Sequence, residues 1–137
     1  MTQATPIRTT PIRVFLVDDQ TLVRQGIRSL LALAEGIEVV AEASDGRQAV
    51  EQIPGISPDV VLMDMRMPVM SGLEALQAMS RTGTLPPTII LTTFDDDALV
   101  LAGIKAGAKG YLLKDVSLEQ LVNAIQAVAA GGSLVQP

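Results

Sequence analysis

The stretch DVVLMDMRMPVMSGLE, residues 59–74, decides the fold. An apolar, β-branched-rich run ends on an acid, Asp64, and passes into a methionine-proline turn around Pro68. Ser71 and Glu74 then have the spacing of a capping box that opens a helix. Strand, turn and helix follow one another directly, which is one β-α unit. A buried strand has no need of a carboxylate at its tip, so either Asp64 merely starts the loop or the strand exists to hold it up.

The same unit repeats along the chain. Runs of strand character lie at RVFLV (13–17), IEVVAEA (37–43), DVVLMD (59–64), TIILTT (88–93) and GYLLKD (110–115). Most are apolar without strict alternation, as expected of strands covered on both faces. Between them, Val23, Ile27, Leu30, Leu31 and Ala34 form one helical stripe, and Leu118, Leu121, Val122, Ile125 and Val128 form another. Ser117 with Gln120 repeats the capping-box spacing, and Gly36, Gly107 and Gly131 suit left-handed helix stops. Strict β-α alternation predicts an α/β fold, a parallel sheet with helices on both faces, because a parallel partner is reached only through a crossover. In such sheets ligands bind at the carboxyl ends of the strands.

At that edge the sequence places Asp18 and Asp19 after the first strand, Asp64 at the third, Thr92 and Thr93 at the fourth and Lys114 at the fifth. Each has an ordinary reading taken alone: first-turn acids, β-preferring threonines, a surface lysine with a buried stem. Tyr111 is by default a core residue with its hydroxyl at the rim, and the acids at 95–97 are helix-start charge. Their order argues otherwise, because strand ends carry Asp, Asp, Thr and Lys in turn. Two like charges about 4 Å apart repel by ~4 kcal/mol at an effective dielectric near 20, so the acids need a counter-charge. A hard dication such as Mg²⁺ suits oxygen ligands, and Lys114 adds a second positive charge. Acids, metal, lysine and hydroxyl together handle a phosphoryl group, with Asp64 placed best as nucleophile.

Composition narrows the chemistry further. The chain of 137 residues has the length of one domain, and neither cysteine nor histidine occurs in it. Their absence removes disulfides, Ser-His and Cys-His catalysis and the common zinc sites. A net charge of −5 argues against gripping a phosphate backbone. No apolar stretch approaches the roughly 20 residues of a membrane span, and the start MTQATPIRTTPIR lacks the apolar centre of a secretion signal. The expectation is a cytoplasmic protein with a loose tail over 1–12, a folded domain over 13–131 and the start of a linker over 132–137.

The motifs LVDDQ, VVLMDMRMPVMSG, ILTTFDDD and AGAKGYLLKD resemble those of receiver domains of two-component response regulators, over almost the whole chain. The resemblance implies a doubly wound, flavodoxin-like five-stranded sheet of order 2-1-3-4-5. It implies that Asp64 accepts a phosphoryl group from a histidine of a sensor kinase, which accounts for the missing histidine. It further implies that Asp19 contacts Mg²⁺ directly, Asp18 through water, and Arg66 through its backbone carbonyl. Thr92 would bond a phosphoryl oxygen and Lys114 would pair with it, while Tyr111 turns inward as Thr92 moves. Such a domain is a phosphoacceptor and not an enzyme in the turnover sense. Pro68 stiffens the turn beyond Asp64, and Gly72 permits close backbone approach.

LTTFDDD and GYLLKD look like the NarL/FixJ-type subfamily, whose receivers normally precede a helix-turn-helix domain. Here no recognition helix follows GGSLVQP, so DNA would be reached only through an output domain absent from this chain. The expectation is therefore the receiver part of a transcriptional regulator, forming homodimers on phosphorylation, with a standalone receiver acting through protein binding as the alternative. Arg66 and Phe94 flank the approach to Asp64 and are expected to slow hydrolysis, Arg66 either shielding the phosphoryl or pairing with Asp19. An aspartyl-nucleophile phosphatase would need a second Asp where Arg66 stands, and a flavin carrier more than 2% aromatic residues.

Overall fold

The computed structural model describes residues 10–93 and 96–132. In chain order it runs β1 (Ile12–Val17), α1 (Thr21–Leu31), β2 (Ile37–Ala43), α2 (Gly46–Ile56), β3 (Val60–Asp64), α3 (Gly72–Thr82), β4 (Thr88–Thr92), α4 (Asp97–Lys105), β5 (Gly110–Leu113) and α5 (Leu118–Ala129). All strand pairs are parallel and the sheet order is β2-β1-β3-β4-β5, the expected doubly wound arrangement. The expected tail (1–12) and linker (132–137) lie outside the described residues except for Thr10, Pro11, Ile12 and Gly132.

The central strands β1, β3 and β4 are buried on both faces. Val14, Leu16, Leu62, Ile89 and Leu91 point to one side, where Ile27 and Leu31 of α1 and Leu121, Ile125 and Val128 of α5 cover them. Phe15, Val17, Val61 and Met63 point to the other, against Ala49 and Ile53 of α2 and Ala75 and Met79 of α3. Period-two geometry sends neighbouring residues to opposite layers, and both layers are apolar.

Both capping boxes form: Ser71 Oγ accepts from Glu74 N at 3.1 Å, and Ser117 Oγ accepts from Gln120 N at 3.1 Å. Gly36, Gly107 and Gly131 have positive φ as expected. The α5 stripe packs as read. The α1 stripe is shorter: the helix stops at Leu31, Ala34 packs from the turn beyond it, and Leu30 is 41% exposed while Val23, Ile27 and Leu31 face the core. No stripe announces α2 or α4. The buried positions of α2 are Gly46, Ala49 and Ile53, and Pro54 lies within the helix, so its apolar signature is faint. In α4 the buried position is Gly103.

Candidate functional site

Strand register assembles the site. Val17 pairs with Met63, so the residues that follow, Asp18 and Asp64, reach the carboxyl edge side by side. Asp18 is fully buried, Asp64 is 5% exposed and Asp19 is exposed. One carboxylate oxygen from each of the three lies within 4.8 Å of the others. Lys114, just past the end of β5, continues the sheet by donating its backbone N–H to Thr92 O at 2.8 Å. Its Nζ lies 3.1 Å from Asp18 Oδ2 and 3.3 Å from Asp64 Oδ2. Asp19, Asp64, Thr92, Arg66 and Lys114 line a pocket of about 200 Å³.

The electrostatics follow from crowding acids in a buried place. Burial first, and then the charge of Asp18, push the Asp64 carboxyl up from 3.8 to about 6, against the opposing pull of Lys114 and the Arg66 N–H. Burial pulls the Lys114 ammonium down, but its contacts with Asp18 and Asp64 outweigh that, and the group is held above its ordinary range. Asp18 Oδ1 accepts from Gln20 N at 2.8 Å, whereas the contact of its buried Oδ2 with Lys114 lacks hydrogen-bond geometry. A carboxylate trio with an unfilled buried acceptor fits a hard divalent cation.

The loop after Asp64 is built for close approach. A Cβ on Gly72 would overlap the Asp64 carbonyl oxygen and come within 2.8 Å of Met65 Cα. Gly72 N donates to Met65 O at 3.1 Å, tying the start of α3 to the strand tip. Pro68 O accepts from Met70 N at 2.7 Å, which closes a three-residue turn with Val69 at φ 67° in its centre. Gly46 N donates to Met70 O at 2.9 Å, so the loop also rests on the start of α2.

Three expectations need correction. Arg66 does not pair with Asp19: its guanidinium grips Asp96 through Nε at 3.2 Å to both oxygens and Nη2 at 2.5 Å to Oδ1. Asp96 is accordingly more than helix-start charge. It precedes α4 without making a side-chain cap, and its Oδ2 accepts from Thr92 Oγ1 at 3.4 Å and Thr93 Oγ1 at 3.3 Å. The sequence held a signal for this pair, since β3 and β4 are neighbours and the tip of one carries a cation while the tip of the other carries acids. Tyr111 is no core residue by its burial, being 48% exposed on the edge strand β5. It borders a hollow of about 230 Å³ shared with Thr92, Val100 and Leu113. Thr92 is 4% exposed and also donates to Thr93 O at 3.1 Å. Phe94 lies outside the described residues.

Comparison with known proteins identifies the family. The model of the response regulator receiver domain matches residues 14–126. The nitrate/nitrite response regulator protein NarP of Escherichia coli (strain K12) is 48% identical over 125 residues, covering 91% of this chain and 58% of that protein. The transcriptional regulatory protein LnrK of Bacillus subtilis (strain 168) is 41% identical over 126 residues, covering 92% of this chain and 57% of that one. The chain thus spans little more than half the length of these relatives. A crystal structure of a two-component response regulator, LuxR family, from Aurantimonas sp. SI85-9A1 superposes with a TM-score of 0.84 at 35% identity, covering 93% of this chain and 91% of that one. With parallel strands in the order 2-1-3-4-5 and the acids gathered at their carboxyl ends, the chain belongs to the response regulator receiver domains.

Proposed function

We propose that residues 13–131 act as a phosphorylation-dependent signalling switch in which Asp64 accepts a phosphoryl group from a histidine of a sensor kinase. The observation that carries this reading is Lys114, whose ammonium stands between the buried Asp18 and Asp64 at the wall of a small open pocket. In the transfer an Asp64 carboxylate oxygen attacks phosphorus as the bond from phosphorus to the donor nitrogen breaks, leaving the histidine neutral once its ring takes up a proton. Lys114 pairs with the equatorial oxygens and Thr92 donates its hydroxyl to one of them. Hydrolysis later restores the carboxylate and inorganic phosphate, so the domain assists its own resetting without being an enzyme in the turnover sense.

Receiver domains bind Mg²⁺ at an acidic pocket of this kind. Here Asp18, Asp19, Asp64 and the Arg66 carbonyl would hold it, and it supplies neutralisation of the charge gathered at the pocket.

For output, Thr92 moves toward the phosphoryl group and Tyr111 turns into the space it leaves. An exposed Tyr111 beside the same hollow as Thr92 is what the resting state of such a pair requires. Moving the population from mostly inactive to mostly active requires ~5.5 kcal/mol of bias, which contacts to a charged phosphoryl group can supply in large part. The reshaped face favours a homodimer, and the exposed Leu22 and Leu33, in and just after α1, are further apolar surface for one. LnrK is by name a transcriptional regulatory protein, which supports an output on DNA through a separate domain and, with it, a cytoplasmic place of work. Among the described residues no helix is long and apolar enough to cross a membrane.

The test is intact mass after incubation with Mg²⁺ and acetyl phosphate. One phosphoryl group gained by the wild type, and lost in Asp64→Asn or with Mg²⁺ chelated, is the expected result. A folded wild type that gains none would remove the phosphoacceptor reading. Light scattering of the same samples reads the dimer.

A further inference from the structure

Asp96 gathers the groups that a phosphoryl on Asp64 would want. Arg66, two residues past the acceptor, is bound at three distances of 2.5 to 3.2 Å by one carboxylate. The second oxygen of that carboxylate also takes the hydroxyls of Thr92 and Thr93. Asp96 is well shielded, with 10% of its side chain exposed, whereas the Arg66 side chain is 69% exposed, so that solvent more than packing surrounds its long stem. Arg66 borders the pocket of Asp64, and its backbone N–H already lies 3.4 Å from Asp64 Oδ1. The guanidinium holds the Asp96 carboxyl below its ordinary range, so the pair stays charged at neutral pH.

We propose that Asp96 is a positioning residue that withholds the Arg66 guanidinium from Asp64 in the resting protein, so that phosphorylation proceeds by competition between Asp96 and the phosphoryl group for this one cation. The inference rests on Asp64 being the acceptor. A phosphoryl group carries nearly two negative charges and three acceptor oxygens against the one charge of Asp96, and a planar guanidinium binds either as a fork. When Arg66 crosses to the phosphoryl group, Asp96 loses its cation and keeps only the long hydroxyl contacts of Thr92 and Thr93. With acetyl phosphate as donor, an Asp64 oxygen forms the new bond to phosphorus, the bond from phosphorus to the acetyl oxygen breaks, and acetate leaves with that electron pair, so no proton moves. Arg66 balances charge on the transferring oxygens and takes no part in the bond changes. A freed Arg66 also covers the finished acyl phosphate and slows attack by water.

The experiment is a double-mutant cycle on the full chain, with Arg66→Ala, Asp96→Asn and the pair together. Acetyl phosphate and Mg²⁺ are the probe, intact mass gives the rates of gain and decay, and circular dichroism checks folding. Asp96→Asn alone is expected to accelerate phosphoryl uptake by about threefold, the scale an exposed ion pair commands, and to slow decay to a similar degree. In the Arg66→Ala background the same change should leave both rates within experimental error. An equal acceleration in both backgrounds would mean that Asp96 acts only by repelling the anionic donor, and unchanged rates in Asp96→Asn would mean that the pair is ornamental; either overturns the proposal while Asp64 remains the acceptor. Failure of the wild type itself to gain mass would instead remove the acceptor reading, and this proposal with it.

Discussion

Lys114 Nζ stands 3.1 Å from Asp18 Oδ2 and 3.3 Å from Asp64 Oδ2, one ammonium shared by two buried carboxylates. Removing it leaves like charges facing each other without a counter-ion. Lys114→Met, which keeps the apolar stem, is expected to destabilise the metal-free protein by about 3 kcal/mol at neutral pH. Urea unfolding in the presence of a chelator measures it. The loss should shrink in acid as Asp64 takes up its proton; a loss independent of pH would show that packing of the stem dominates.

Asp64 gives the stability curve a definite slope. Its folded value is raised from 3.8 to about 6, so the folded protein holds this proton more tightly than the unfolded chain does. The contribution is fully present below the ordinary value of 3.8 and disappears as pH rises through about 6. Without metal, Asp64→Asn should therefore be more stable than the wild type by about 1 kcal/mol near neutral pH, after allowance for solvent at the pocket mouth, with the difference closing in acid. Unfolding midpoints of both proteins across that window check it, and a constant gap would contradict it.

Gly72 is set against the strand tip so closely that a Cβ would overlap the Asp64 carbonyl oxygen. Both neighbours are backbone, which cannot step aside as a side chain does. Gly72→Ala is expected to cost about 3 kcal/mol or more and to displace Asp64 from Lys114. Thermal unfolding reads the first effect, and a lowered rate of phosphoryl uptake the second.

Val69 sits at φ 67° in the three-residue turn, a conformation that β-branched residues avoid, and its side chain is 76% exposed. Little burial would be lost on replacing it. Val69→Asn should stabilise the protein by about 1 kcal/mol, since asparagine tolerates left-handed backbone. An unchanged urea midpoint would mean that the turn relaxes in solution.

The sheet was legible because its signals are local: β-branched runs, capping boxes at Ser71 and Ser117, and glycine stops. The gathering of Asp18, Asp64, Thr92 and Lys114 was legible too, because strand order converts sequence position into position on one edge. What escaped reading depends on how side chains choose among partners. Arg66 had several acids within reach of a long stem, and only the placement of α4 beside the β3 tip gives it to Asp96. Tyr111 read as core on composition, but β5 is an edge strand of four residues, and among the described residues its side chain is left half exposed. α2 hid behind Pro54 and small buried residues.

The thin seat of α4 has a kinetic meaning. Gly103 is its buried residue, pressed against the Ile90 side chain, with Leu99 and Ile104 only partly covered. A helix that meets the sheet through a glycine can pivot while giving up little contact area, whereas α5 would have to withdraw Leu121, Ala124, Ile125 and Val128 from the core to do the same. In hydrogen exchange the amides of α4 should open locally, well before those of β1 and β3, which await global unfolding. Of the five helices, α4 thus has the fewest buried positions and the loosest hold on the sheet.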